Sequence, residues 1–223
     1  MSDNIIVTGF GPFRNHSVNA SWEAVKLLPD QLDEFNIIKK EVPVIYDQVQ
    51  NNIPDLWKKL NPIVSKLKYF RQNEMLIFVT ALQLVVHVGV SSFTDRITIE
   101  KCAFRKGYDQ CDCSGVEHPT KEACCDGDDC ITTGLEVDEI CKTLNTCKQI
   151  KSCASNNAGR YLCEFIYYTS LNIDRNKTLF VHVPPLDAPY TAKQLAEGLL
   201  EIIKCALRQI GPGEPVKRSS VTN

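Results

Sequence analysis

The sequence predicts an α/β fold, a three-layer α/β/α sandwich around a mostly parallel, twisted sheet. Apolar runs of strand length alternate with amphipathic stretches of helical period along its 223 residues. That alternation is the pattern left when each strand is followed by a helix packed back onto the sheet. Several runs, such as Ile5-Ile6-Val7 and Leu84-Val85-Val86, are continuously apolar, as strands covered on both faces must be. The length also suits one domain.

Taken in order, Asn4–Thr8 reads as the first strand, ended by the turn-rich Gly9-Phe10-Gly11-Pro12-Phe13. Asn19 precedes an amphipathic stretch, Ser21–Leu28, that Pro29 closes. Phe35–Val44 is a second strand. Tyr46–Leu60 carries Val49, Ile53 and Leu56 at helical spacing, with Pro54 expected near a helix start or a kink. The longest apolar run, Met75–Val90, is interrupted by Gln83 and His87 and is shorter than a membrane span of ~18–20 residues. It reads as buried strand material, with Gln83–Val90 the strand. Ile97–Phe104 alternates like another strand. Val137–Leu144 and Ala158–Leu171 look helical, with a strand at Ile150–Ala154 between them. Thr178–Val183 is a strand. Thr191–Ile210 is the clearest helix, with Leu195, Leu199, Ile202, Ile203, Ala206 and Ile210 on one stripe. One domain is therefore expected over residues 1–210, and the Gly-, Pro- and polar-rich 211–223 is expected to be a disordered tail.

A net charge of −2 carries no electrostatic footprint for nucleic acid or anionic lipid, so neither is expected as a partner. Met1-Ser2-Asp3-Asn4 is no basic n-region, and the apolar run after it is too short for a secretory signal. Eleven cysteines, an odd number, then argue for reduced thiols and a cytoplasmic location rather than a disulfide framework.

Four histidines keep the search for chemistry short. His182 stands near the C-terminal end of a predicted strand, where sites in open α/β sheets cluster. Taken alone, a strand histidine is more often structural than catalytic. His87 lies inside a buried strand and reads as a satisfied core residue; His16 and His118 fall in loops. Cys163 follows Asn156-Asn157-Ala158-Gly159-Arg160, a strand-to-helix junction in appearance. A thiol in the first turns of a helix gains from unpaired N–H groups and the positive dipole end, which favour the thiolate. By spacing alone, an inert, buried helix cysteine is the favoured reading.

The ordered motifs resemble a known family. Thr8-Gly9-Phe10-Gly11-Pro12-Phe13, Val18-Asn19-Ala20-Ser21-Trp22, Val86-His87-Val88-Gly89-Val90-Ser91 and Ile99-Glu100-Lys101-Cys102 are similar to segments of pyroglutamyl peptidase I. So are Lys106-Gly107-Tyr108, the run Ala158–Leu171 around Cys163, and Val181-His182-Val183-Pro184-Pro185-Leu186. The resemblance spans about Ile5 to Ile210 and is strongest to the animal members. It implies a cysteine omega-peptidase that removes N-terminal pyroglutamate through a thioester, without metal or organic cofactor. Cys163 matches the nucleophile, His182 the general base and acid, and Glu100 the carboxylate that orients the histidine. Phe10 and Phe13 match the aromatics flanking the pyrrolidone ring, and Asn19 a residue of the same pocket, in preference to its plain reading as a helix N-cap. The expected partners are pyroglutamyl peptides, and a monomer is expected.

Two segments depart from the family pattern. Residues 63–82 form an insertion before a core strand, whose register it could disturb. The stretch reads as a retained short intron: Val64-Ser65-Lys66 can be encoded by a donor-like sequence and Phe78-Val79-Thr80-Ala81 by a pyrimidine-rich stretch ending in ACAG. The other segment, Cys102–Cys130, has Cys111-x-Cys113, Cys124-Cys125 and Cys130, which is not a clean zinc-knuckle spacing. It reads as a reduced loop near the site. The alternatives are an inactive family member disrupted by the insertion, or a metal-binding interaction module built on these cysteines.

Overall fold

The structure, a computed structural model, describes residues 3–13, 17–60, 70–71, 74–75, 82–124, 126–147 and 150–211. Its frame is a seven-stranded sheet built from β1 (Asp3–Phe10), β2 (Gln31–Leu32), β3 (Phe35–Val42), β6 (Leu82–Val90), β7 (Ile97–Glu100), β10 (Ser152–Ser155) and β11 (Thr178–Val183). The strand order is β10-β7-β11-β6-β1-β3-β2. Four neighbouring pairs are parallel; β7 runs antiparallel to β11, and β2 to β3. Outside it lie two small antiparallel pairs, β4 (Phe70–Arg71) with β5 (Glu74–Met75), and β8 (Cys102–Phe104) with β9 (Cys130–Thr132).

Helices α1 (Ala20–Lys26), α3 (Val137–Cys147) and α5 (Ala192–Ile210) cover one face, over Ile5, Val7, Leu84, Val86, Leu179 and Val181. Helices α2 (Tyr46–Leu60) and α4 (Leu162–Asp174) cover the other, over Ile6, Val85 and Phe180. Successive strand residues thus feed two different cores, which is why the runs read as continuously apolar. The stripe on α5 buries Leu195, Leu199, Ile202 and Ile203 completely, worth about 1.5–3 kcal/mol for each side chain before ordering entropy is set against it. Thr191 and Gln194 form a capping box at its start, and Gly211 ends it at φ 71°.

Pro54 lies well inside α2 rather than at its start. The carbonyl that loses its N–H partner belongs to Gln50, on the exposed side of the helix, where water can replace it. The stretch expected as one strand, Ile97–Phe104, is two. The backbone leaves the sheet at Lys101: its N–H still donates to the Ser155 carbonyl of β10 (2.7 Å), but its carbonyl accepts from Thr133 N–H (2.9 Å), and β8 then pairs with β9 instead. The helix expected over Ala158–Leu171 begins only at Leu162.

β6 begins with a register irregularity, next to the expected insertion. Asn4 pairs with Leu82 but Ile5 pairs with Leu84, a one-residue slip at the start of the strand. From Leu84 onward the register runs unbroken to Val88 against Gly9. Leu82, the last residue of the expected insertion, is itself a buried strand residue. Apart from β4 and β5, the rest of 61–81 lies outside the described residues, as does the expected tail beyond Gly211. Among the described residues no helix is long and apolar enough to cross a membrane.

Candidate active site

His182 is the penultimate residue of β11 and points to the α2/α4 face with Phe180, whose ring meets it edge-on at 4.8 Å between centroids. Glu100 is the last residue of the neighbouring β7. Its Oε1 lies 2.9 Å from His182 Nδ1, with both residues buried. Two antiparallel strands therefore place a carboxylate and an imidazole side by side although 82 residues separate them in the chain. The Glu100 carbonyl accepts the Tyr167 hydroxyl at 2.9 Å, which fixes the end of β7 to α4. Glu100 Oε2 is buried with no hydrogen-bond partner among the described residues, so the carboxylate is answered through the histidine. Burial alone would lower the His182 pKa. Hydrogen bonds to Cys163 and Glu100 and their negative charge outweigh it, raising the value from 6.5 to about 9. With Nδ1 turned to Glu100, Nε2 is the nitrogen that meets the sulfur.

Cys163 is the second residue of α4. The turn before it takes two left-handed residues, Gly159 (φ 99°) and Arg160 (φ 51°). A side chain normally resists that conformation, and here a buried carboxylate holds it. Glu164, fully buried, accepts from Arg160 N–H (2.8 Å), from Arg160 Nη1 with both oxygens (2.8 and 2.7 Å), and from Phe104 N–H (3.2 Å). The Arg160 guanidinium also stacks 3.9 Å over the Phe104 ring. Glu164 thereby ties the turn carrying the thiol to β8, two residues beyond Glu100. On the sheet side the sulfur fits only because Gly89 has no side chain. A Cβ there would lie 2.7 Å from Cys163 Sγ and 2.9 Å from Phe180 Cζ.

Beside the sulfur opens a cavity of about 90 Å³ lined by Phe10, Phe13, Asn19, Val44, Val90, Tyr161, Leu162 and Cys163. No lining side chain is charged, and the space is well below the roughly 300–1,000 Å³ of a drug-sized ligand site. The structure thus gathers Cys163, His182 and Glu100 into one cluster and Phe10, Phe13 and Asn19 into the adjoining wall. Asn19 does both jobs that the sequence set against each other. Its Oδ1 accepts from Ser21 N–H (3.1 Å) and Ser21 Oγ (2.8 Å) as the N-cap of α1, and its Nδ2 donates to the Gly11 carbonyl (2.9 Å). The cap reading is therefore restored alongside the pocket reading.

His87 stays out of this chemistry. It bridges Thr8 Oγ1 and Ser170 Oγ at 2.7 Å each, and Ser170 in turn accepts from Trp57 Nε1 at 3.1 Å. Complete burial lowers its pKa to about 3, so it is neutral at physiological pH. His118 meets Gln50 and Thr120, and His16 lies outside the described residues. Of the cysteine-rich segment, Cys102 is buried, and burial together with the neighbouring Cys130 pushes its thiol up to about 12. Among the described residues no three His, Cys, Asp or Glu side chains stand together as a metal site; Cys125 lies outside them.

Comparison with known proteins agrees with this geometry. A family model for pyroglutamyl peptidase matches residues 3–67, and a second pyroglutamyl peptidase model, PgaPase_1, matches residues 43–187. The pyroglutamyl-peptidase 1 of Rattus norvegicus is 42% identical over 210 residues, covering 90% of this chain and 88% of its own. The chain belongs to the pyroglutamyl peptidase family. The human pyroglutamyl-peptidase 1 is 41% identical over the same span. The crystal structure of the Bacillus amyloliquefaciens pyroglutamyl peptidase I superposes with a TM-score of 0.76 over 94% of this chain and 98% of its own, at 20% identity.

Within this family member, sequence reasoning had not separated out Gly89, the Glu164–Arg160 clamp or the pocket walls Val44, Val90, Tyr161 and Leu162. A glycine inside an otherwise β-branched strand was the one signal available for Gly89. Nothing in a linear reading marks Glu164, because its partners lie on another strand and in a turn whose backbone conformation sequence does not display.

Proposed function

We propose that this chain is a cysteine peptidase that removes N-terminal pyroglutamate from peptides, with Cys163 as nucleophile, His182 as general base and acid, and Glu100 holding the imidazole. The observation that carries the reading is the buried Glu100–His182 pair at 2.9 Å, hydrogen-bonded onward to a helix-start thiol at the mouth of an uncharged, one-residue-sized cavity.

The Cys163 thiolate attacks the exocyclic carbonyl of the pyroglutamyl residue. The negative oxygen that develops meets N–H groups of the first turn of α4, which have no intrahelical acceptor. Tyr161, the N-cap, offers them no side-chain acceptor either. His182, protonated up to about pH 9, gives its proton to the departing amine. It then activates the water that hydrolyses the thioester. Glu100 stabilises the imidazolium and fixes the ring so that Nε2 faces the sulfur.

Selectivity follows from the lining. A lactam ring has no ammonium, so Phe10, Phe13 and the other apolar walls can enclose it, with Asn19 supplying an amide. An N-terminal glutamine would bring a charged amine into a slot with no anion, at a cost of several kcal/mol. Nine cysteines, Cys163 among them, are free thiols, which suits work in a reducing, cytoplasmic setting.

The test is hydrolysis of a fluorogenic pyroglutamyl amide under reducing conditions. Turnover abolished by iodoacetamide and by Cys163→Ala, and lowered at least about 10³-fold by His182→Ala, is expected. A folded wild-type chain with no turnover, or one whose turnover survives Cys163→Ala, would overturn the reading.

A further inference from the structure

The pocket has two walls that the sheet does not hold. Val44 lies in the connection between β3 and α2, and Tyr161 in the turn before α4. Both are reached by three consecutive residues of the cysteine-rich segment. Cys113 N–H donates to the Val44 carbonyl at 3.0 Å. The Tyr161 hydroxyl donates to the Cys111 carbonyl at 3.1 Å. Between them the buried Asp112 turns inward, while Cys111 and Cys113 turn their side chains to solvent.

The Asp112 carboxylate is fully occupied. Oδ2 accepts from Tyr46 N–H, the first residue of α2, at 3.1 Å. Oδ1 accepts from Ser114 N–H (2.8 Å), Ser114 Oγ (2.5 Å) and Val116 N–H (3.3 Å). Burial works to raise its pKa, but these hydrogen bonds win and hold it below the usual carboxylate range. Beneath it, the Tyr46 ring packs edge-on against Tyr161 and Phe165, at 6.2 and 5.0 Å between centroids. The segment is thus a strap across the outer side of the pocket, and its thiols take no part in the attachment.

We propose that Asp112 is a specificity-determining residue. By pinning residues 111–113 against Val44 and Tyr161 it sets the width of the slot that receives the lactam ring. The proposal rests on the peptidase reading above. Loosening the strap lets the Val44 and Tyr161 walls part, so the slot holds a five-membered lactam less tightly and rejects a larger ring less well. The reacting groups Cys163, His182 and Glu100 are attached elsewhere, so the chemical step is spared.

The test compares wild type, Asp112→Asn, Tyr161→Phe and the double variant on two substrates, the pyroglutamyl amide and its six-membered lactam homologue. Asp112→Asn is expected to raise KM for the pyroglutamyl substrate about tenfold with kcat within about twofold of wild type. It is expected to shrink the preference for the five-membered ring about tenfold, the scale of one methylene in a pocket. Tyr161→Phe keeps the ring wall but loses the bond to Cys111, so it moves the same way, and the double variant is less than additive because both act through one strap. In parallel, protection of Cys163 from iodoacetamide by 2-pyrrolidone, read at that residue by mass spectrometry, should need about tenfold more pyrrolidone in either variant.

Variants that fold as judged by near-ultraviolet circular dichroism, yet keep wild-type KM, ring preference and protection, would overturn the proposal while the peptidase reading stands. A wild-type chain showing neither turnover nor protection would overturn both. If Asp112→Asn fails to fold, Tyr161→Phe carries the same comparison.

Discussion

At the scale of single residues, the site depends as much on an absent side chain as on the three proposed to react. Gly89 leaves the space that Cys163 Sγ fills, and a methyl group added there would sit 2.7 Å from the sulfur and 2.9 Å from the Phe180 ring. Neither neighbour is the free end of a flexible chain: one is the short Cys163 thiol and the other, Phe180, is fully buried. Gly89→Ala is therefore expected to destabilise the fold by about 1–3 kcal/mol through overpacking. It should lower kcat about 10²-fold, because a displacement near 1 Å is enough to lose that much. Steady-state kinetics together with urea unfolding checks both numbers, and a variant with native kcat would show that the thiol has more room than the geometry allows. The three proposed catalytic residues were legible through motif resemblance, since Cys163, His182 and Glu100 each sit in a recognisable run. The residues that position them were not. Gly89 and Glu164 act through neighbours far away in the chain, and Asn19, legible as either a cap or a pocket residue, both caps α1 and lines the cavity.

At the scale of elements, hydrophobic period was a good guide wherever burial decides structure. β1, β3, β6, β11, α2 and α5 stand within a few residues of where the pattern puts them, because each feeds one of the two cores. It failed where hydrogen bonding decides instead. Ile97–Phe104 reads as one strand, yet the chain turns out of the sheet after Lys101: its N–H still pairs with Ser155 of β10, while its carbonyl already accepts from Thr133 beside β9. α4 starts late because Glu164 and the left-handed Arg160 hold the preceding turn open. The insertion belongs to this scale too. The one register slip in β6 lies at its start, ahead of Gly89 and the site. Lengthening a connection from two residues to about twenty costs only about 2 kcal/mol in closure entropy. Removing 63–81 while keeping Leu82 is therefore expected to leave turnover within about threefold and to preserve or slightly raise the unfolding midpoint. Loss of folding in that variant would mean the segment is part of the domain, and transcript sequencing across the same codons would show whether a retained intron supplies it.

At the scale of the whole molecule, two buried histidines with opposite shifts set how stability responds to pH. His182 is raised from 6.5 to about 9, so the folded chain holds its proton more tightly than the unfolded chain does. Its contribution is complete below about pH 6.5 and disappears as pH rises through about 9. His87 is lowered from 6.5 to about 3 by burial between Thr8 and Ser170. The folded chain excludes a proton that the unfolded chain binds, so stability is lost as pH falls from about 6.5 toward 3. Each histidine changes stability by at most about 1.4 kcal/mol per pH unit inside its own window. The two windows meet near 6.5, and the maximum of stability is expected there. The thiols of Cys102 and Cys141, raised by burial to about 12 and about 11, add to the alkaline loss only beyond pH 9. Urea unfolding from pH 4.5 to 9 checks the shape. His182→Gln should flatten the limb between 6.5 and 9 and leave the acid limb in place. His87→Leu should flatten the limb below 6.5, although its absolute stability falls because Thr8 and Ser170 lose their partner. An alkaline limb unchanged in His182→Gln would mean that the imidazole is neutral in the resting site, and the proton delivered to the leaving amine would then have to come from the thiol itself.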